Sequence, residues 1–146
     1  MRFEERTASV GATMRLGRAL ARRYGPGRVY ALEGELGAGK TILAKGLAAG
    51  FGVTDPDTVT SPTFTLMHRY DGADGQTVHH ADLYRLTGPD DAAAIGLEEL
   101  LAAGATVIIE WAERVRELLG PGTVWINARH DGERARRFTV TAGDKP

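Results

Sequence analysis

The chain has 146 residues, 42% hydrophobic and 25% charged, which is the balance of a soluble globular protein of one domain. Its 18 basic and 19 acidic residues leave a net charge of −1, which excludes a strongly basic nucleic-acid wrapper and an acidic solvating tail. The absence of cysteine excludes disulfide scaffolds, thiolate zinc sites and cysteine nucleophiles.

No stretch approaches the ~18 uninterrupted apolar residues of a membrane span. The opening MRFEER is charged and leads to no apolar signal region, so a cytoplasmic protein without membrane contact is expected. From Ser9 to Arg23 the spacing predicts a helix, with Ala12, Leu16, Ala19 and Leu20 on one face. Ser9 is its candidate N-cap and Gly25-Pro26-Gly27 its stop. Val29 to Glu33 is a short apolar strand that runs into GELGAGKT. A second helix starts at Gly39 or Lys40 and ends at the glycines Gly50 and Gly52. Ser61-Pro62 marks a loop, because the residue before proline is pushed out of the helical region. Phe64–Tyr70 and Thr77–Leu83 read as a β-hairpin around the turn Asp71–Gly75. Asp90–Ala103 reads as a helix with one glycine inside it. Thr106–Trp111 is a continuous apolar run, the pattern of a strand buried on both faces. A short helix at Glu113–Leu119 and a terminal hairpin of Thr123–Arg129 with Arg137–Thr141 follow, and residues 142–146 are expected to fray. Strands alternating with helices predict an α/β fold. The expected form is a three-layer sandwich of the P-loop NTPase type, one domain over residues 1–146, with a mixed, partly parallel sheet and antiparallel hairpins.

The segment Gly34-Glu35-Leu36-Gly37-Ala38-Gly39-Lys40-Thr41 fits G-x-x-x-x-G-K-[ST]. Such a loop leaves a strand, turns on glycines and enters a helix. Its backbone N–H groups then line a concavity suited to a β-phosphate. Lys40 would bring an ammonium to the β/γ oxygens, and the Thr41 hydroxyl is the expected Mg²⁺ ligand. A glycine-rich turn without a ligand is the bland alternative; the strand before and helix after favour the cradle. A carboxylate partner is sought at the end of the buried strand, where Glu110 would face the loop and offer an oxygen to Mg²⁺. Asp82 in HHADLYRL is the second candidate, either beside the γ-phosphate or in a structural ion pair with Arg85 or Arg69. Strand alternation puts it on one face with His80 and Tyr84. Ser61, Pro62, Thr63 and Phe64 stand where P-loop GTPases carry a phosphate-sensing switch, although an ordinary loop reads the same way.

These blocks, in this order, resemble the TsaE (YjeE) family of small bacterial ATPases needed to make threonylcarbamoyladenosine beside the tRNA anticodon. The resemblance runs from Ser9 to about Arg129. It rests on Gly34–Thr41, on Ser61-Pro62-Thr63-Phe64, on His80-Ala81-Asp82-Leu83-Tyr84-Arg85-Leu86, on Gly96–Leu100 and on Ile109-Glu110-Trp111. It implies ATP and Mg²⁺, with Lys40, Asp82 and Glu110 as catalytic residues. Thr41, Glu110 and Asp82 are the implied metal site, and Trp111 and Ile42 join the nucleotide-binding loop. Residues 61–64 become a switch. It further implies an ATPase that is weak alone and coupled to the proteins TsaD and TsaB, with tRNA reached through that complex. One departure is Ile42, where members commonly carry a second threonine whose hydroxyl could reach the α-phosphate.

Two other readings stay open at this point. A small P-loop kinase acting on a metabolite would need an arginine-bearing lid and an acceptor pocket, and neither is visible in the sequence. A nucleotide-binding module without hydrolysis would tolerate loss of Lys40. The adenine pocket is sought at the start of the first helix (Thr7, Ser9, Val10) and in the terminal hairpin. Of the 18 basic residues only Lys40, Lys45 and Lys145 are lysines. Arg15, Arg18 and Arg22 share a face of the first helix and Arg134, Arg136 and Arg137 cluster in the last hairpin, as solvated faces or as docking surfaces for a partner or tRNA.

Overall fold

The computed structural model describes residues 1–35, 37–54, 67–84 and 96–143. Within them the chain runs β1 (Arg2–Thr7), α1 (Val10–Tyr24), β2 (Val29–Gly34), α2 (Lys40–Gly50), β3 (Met67–Asp71), β4 (Thr77–Asp82), α3 (Leu97–Ala102), β5 (Thr106–Glu110), β6 (Val124–His130) and β7 (Arg136–Ala142). A 3-10 turn, Ala112–Leu118, follows β5.

The strands form a seven-stranded sheet in the order β1-β7-β6-β2-β5-β4-β3. The four central strands β6, β2, β5 and β4 are parallel to one another, while β1 and β7 on one side and β3 on the other add antiparallel pairs. The chain is therefore an α/β protein with a mixed, partly parallel sheet. Helices α1 and α2 cover one face, burying Leu20, Leu43 and Leu47 against Tyr30, Leu32, Ile108 and Ile126. On the other face Leu97 of α3 and Ala112 and Val115 of the 3-10 turn bury Ala31, Ala81, Val107 and Ile109. The TVIIE segment of β5 is buried at every position, because it lies in mid-sheet with a layer on each side.

Helix α1 begins where the sequence predicts. The Ser9 side chain accepts a hydrogen bond from Ala12 N at 3.0 Å, and Gly25 closes the helix with its N–H on Ala21 O. The two helices pack backbone to backbone. A Cβ on Gly46 would stand 2.4 Å from Met14 O, and one on Gly17 would stand 2.7 Å from the Gly46 backbone. Gly46→Ala is expected to force α2 away from α1 and to cost about 1–3 kcal/mol of stability. A thermal melt checks this, and an unchanged midpoint would contradict the close contact.

Several elements differ from the sequence reading. The charged opening MRFEER forms an edge strand, β1, paired with β7 from Arg2↔Thr141 to Thr7↔Arg136. Its ladder carries it, with Arg6 on Asp131 at 2.9 Å, and no apolar pattern signals it. The helix expected over residues 90–103 is seen only as Leu97–Ala102. Gly96 does not sit inside it; at φ 76° it is the left-handed residue that precedes the helix. Residues 90–95 lie outside the described residues. Trp111 leaves β5 at φ 60°, so the strand ends at Glu110. Two residues of the tail expected over 142–146 belong to the fold: Ala142 ends β7 with its N–H on Met1 O, and Gly143 O accepts from buried Arg28; residues 144–146 lie outside the described residues. The hairpin of β3 and β4 is present, with the expected start at Phe64 outside the described residues.

Candidate functional site

Strands β2, β5 and β4 end side by side, and the segment after β2 curls over their C-terminal ends into α2. In open parallel sheets this is where ligands bind. Gly34 makes the first bend at φ 125°, so close to β6 that a Cβ would stand 2.0 Å from Ala128 O; only glycine fits. Gly39, left-handed at φ 93°, caps α2 with no side chain in the way, leaving its first N–H groups facing the concavity.

The register of the sheet brings the acids to the same place. Asp82 lies opposite Glu110, and His80 opposite Ile108, on the paired strands β4 and β5. Glu110 is buried. Its Oε1 accepts a hydrogen bond from Thr41 Oγ1 at 2.8 Å, and its Oε2 is 2.6 Å from Nε2 of His80. Asp82 Oδ1 accepts the N–H of Tyr84 at 3.0 Å, which fixes the carboxylate at the strand end. Gly37, Gly39, Lys40, Thr41, Ile42, Asp82, Tyr84, Glu110 and Trp111 together line one cleft of about 360 Å³. The structure thus gathers Gly37, Gly39, Lys40, Thr41, both acids and Trp111 around a single hollow, whereas Gly34, Glu35 and the buried Ala38 do not line it. The switch candidates Ser61, Pro62, Thr63 and Phe64 lie outside the described residues, as do Leu36 and Arg85.

Lys40 is buried in this cleft. Its Nζ donates to Gly34 O at 2.7 Å and Glu35 O at 3.0 Å and lies 3.9 Å from the centre of the Trp111 ring. Trp111 in turn stacks obliquely on Tyr84 at 5.0 Å, and the guanidinium of Arg114 stands 5.7 Å from its ring. Burial holds Lys40 below the usual lysine range, partly offset by the carboxylates of Glu113, Glu110, Asp82 and Glu35. A polyphosphate favours the charged ammonium, so above the free-site pKa binding must take up a proton. Nucleotide affinity is expected to fall with rising pH before an exposed lysine would lose its proton. Titrations across the alkaline range check this, with Lys40→Arg as the variant that stays charged; a profile flat up to the ordinary lysine range would contradict it.

Thr41 Oγ1 and Glu110 Oε1 form a pair of hard oxygen donors beside the glycine-rich loop. That donor set fits Mg²⁺, which takes one or two protein oxygens and fills the rest of its octahedron with phosphates and water. A second hollow of about 160 Å³ shares Gly37, Gly39 and Ile42 with the first and continues to Ser9, Val10, Thr13, Arg134 and Arg136. Thr7 is not part of it; its hydroxyl is 2.7 Å from that of Thr13, inside the fold. Arg137 is held by Asp131 and Glu4 and so joins the β1 edge. Sequence reasoning placed His80 on the right face of β4 without finding its bond to Glu110. The only signal was its position two residues before Asp82 on that face.

A family model described as "Threonylcarbamoyl adenosine biosynthesis protein TsaE" matches residues 7–138. The chain belongs to the TsaE family. A TsaE family member from Treponema pallidum is 41% identical over 128 residues, covering 88% of this chain and 92% of that one. Another from Bacillus subtilis is 36% identical over 138 residues, covering 94% and 84%. Both carry the name tRNA threonylcarbamoyladenosine biosynthesis protein TsaE. Among solved structures, Bacillus subtilis YdiB superposes with a TM-score of 0.76 at 30% identity, over 99% of this chain and 87% of that one. The resemblance read from the GAGKT, DLYRL and IEW blocks therefore names the right family.

Proposed function

We propose that this TsaE family protein is a single-domain, cytoplasmic P-loop ATPase that serves tRNA threonylcarbamoyladenosine synthesis as a nucleotide-driven switch on a TsaD–TsaB complex. One observation carries the reading: Thr41 of the phosphate loop bonds Glu110 at 2.8 Å, at the wall of a cleft that also holds Lys40 and Asp82.

ATP would lie with its phosphates on residues 34–41, cradled by backbone N–H groups at the start of α2. Lys40 exchanges its carbonyl partners for phosphate oxygens and neutralises charge on the β and γ groups. Thr41 and Glu110 would hold Mg²⁺, which on binding neutralises charge on the β- and γ-oxygens. Asp82 orients a water for in-line attack: the water oxygen bonds the γ-phosphorus, the bond to the ADP oxygen breaks, and the proton leaves through the carboxylate or phosphate. Trp111 and Tyr84 wall the cleft against bulk water. The second hollow, with Ser9 and Arg134, suits the adenosine end. Ile42 gives that end an apolar contact in place of the hydroxyl of the commoner threonine. Residues 61–64 would sense the γ-phosphate. Hydrolysis then changes the grip on TsaD, and tRNA is met through the complex.

The test is association with TsaD and TsaB in ATP and in ADP. Binding that differs between the two nucleotides is the expected result; no association in either would overturn the assignment. A metabolite kinase would instead transfer phosphate to an added small acceptor.

A further inference from the structure

His80 is fully buried, and neither the phosphate loop nor the cleft lining includes it. It stands in the fold beneath Glu110. Its Nε2 is 2.6 Å from Glu110 Oε2, while its Nδ1 has no hydrogen-bond partner. A proton on Nδ1 would be buried without an acceptor, so the proton sits on Nε2 and is donated to the carboxylate. Glu110 is thereby held from two sides, by His80 on Oε2 and by Thr41 on Oε1. A glutamate side chain has three rotatable bonds; with Oε2 on His80, it is Oε1 that meets Thr41, a residue of the cleft wall.

We infer that His80 is a positioning residue for the metal site: its Nε2–H fixes Glu110 so that Oε1 is presented, in one orientation, to a divalent cation carried by the nucleotide. This rests on the reading of Thr41 and Glu110 as the Mg²⁺ site. Partners behind a metal-binding carboxylate set the orientation of the ligand, and their loss typically costs about tenfold or more in metal affinity. The chemistry asks for a donor at the Nε2 position and nothing else from the ring. Glutamine can supply an amide N–H there; leucine fills similar space and supplies none.

The experiment measures equilibrium binding of ADP to the full chain, in EDTA and over a Mg²⁺ series, with folding checked by thermal melts. His80→Leu is expected to raise the Mg²⁺ concentration needed for half of the metal-linked gain in affinity by about tenfold, with affinity in EDTA unchanged. His80→Gln is expected to recover most of that loss. The inference is overturned if folded His80→Leu keeps the wild-type Mg²⁺ dependence, if affinity in EDTA falls as far as affinity in Mg²⁺, or if His80→Gln is as impaired as His80→Leu. Glu110→Gln separates the two claims. If it raises the Mg²⁺ requirement while His80→Leu does not, only the role of His80 falls. If it leaves the requirement unchanged, the metal-site reading falls and takes the role of His80 with it.

Discussion

Replacing Lys40 by alanine is expected to lower ATP turnover by about 10²–10³-fold, the usual scale for removing one group aimed at transition-state charge. It is also expected to weaken nucleotide binding. The Lys40 side chain is buried, its Nζ lies between the carbonyls of Gly34 and Glu35 and the face of Trp111, and Lys40 and Trp111 both line the cleft. A buried ammonium with two carbonyls and an aromatic face is poised to trade these modest partners for phosphate oxygens, which are stronger acceptors. The fold should survive the change, because Lys40 heads α2 and is not a member of the apolar core that α2 builds with Leu43 and Leu47. Turnover and binding measured on the folded variant decide the matter. Undiminished turnover would remove Lys40 from the mechanism, and retained function without turnover would favour a binding module.

The second large effect is expected at Asp82. Asp82→Ala should keep nucleotide binding near the wild-type level while turnover falls by about 10²-fold or more, the lower range for loss of a group that handles a proton or orients a nucleophile. The carboxylate faces the cleft at the end of β4, in register with Glu110 but on the far side of it from the phosphate loop. Tyr84 N–H holds its Oδ1, so its direction is set by the backbone. Thr41 Oγ1 bonds Glu110 Oε1 at 2.8 Å, so the proposed mechanism gives Glu110 the metal and Asp82 the water. Glu110→Ala should therefore lose Mg²⁺-dependent binding where Asp82→Ala does not. Equal loss of binding and turnover in Asp82→Ala would contradict the division of labour.

Much of this arrangement is legible in the sequence for physical reasons. A glycine-rich turn ending in Lys40-Thr41 leaves little freedom: it must follow a strand and open a helix for its N–H groups to converge. The uninterrupted TVIIE run has the pattern of a strand covered on both faces, and Glu110 at its end is an expensive acid unless it has partners. What escapes is set by long-range contacts. β1 has one half-buried aromatic, Phe3, and is otherwise charged as far as Thr7, so nothing local marks it; pairing with β7 some 130 residues away in sequence makes it a strand. Gly96 reads as a helix interruption and is in fact a left-handed start, because a local pattern does not distinguish the two. His80 is an ordinary histidine in HHADLYRL until the parallel pairing of β4 with β5 sets it against Glu110. The arginine clusters divide in the same way. Arg137 reaches Glu4 and Asp131 and belongs to the fold, whereas Arg134 and Arg136 open onto the second hollow.

The central claim is that this cleft hydrolyses ATP in the service of protein partners. The most direct measurement is the rate of ATP turnover by the chain alone and with TsaD and TsaB added, with Lys40→Ala as the control. Slow turnover alone, a clear acceleration with the partners, and neither in the variant are the expected results. A rate that the partners leave unchanged, or turnover that survives the loss of Lys40, would contradict the claim.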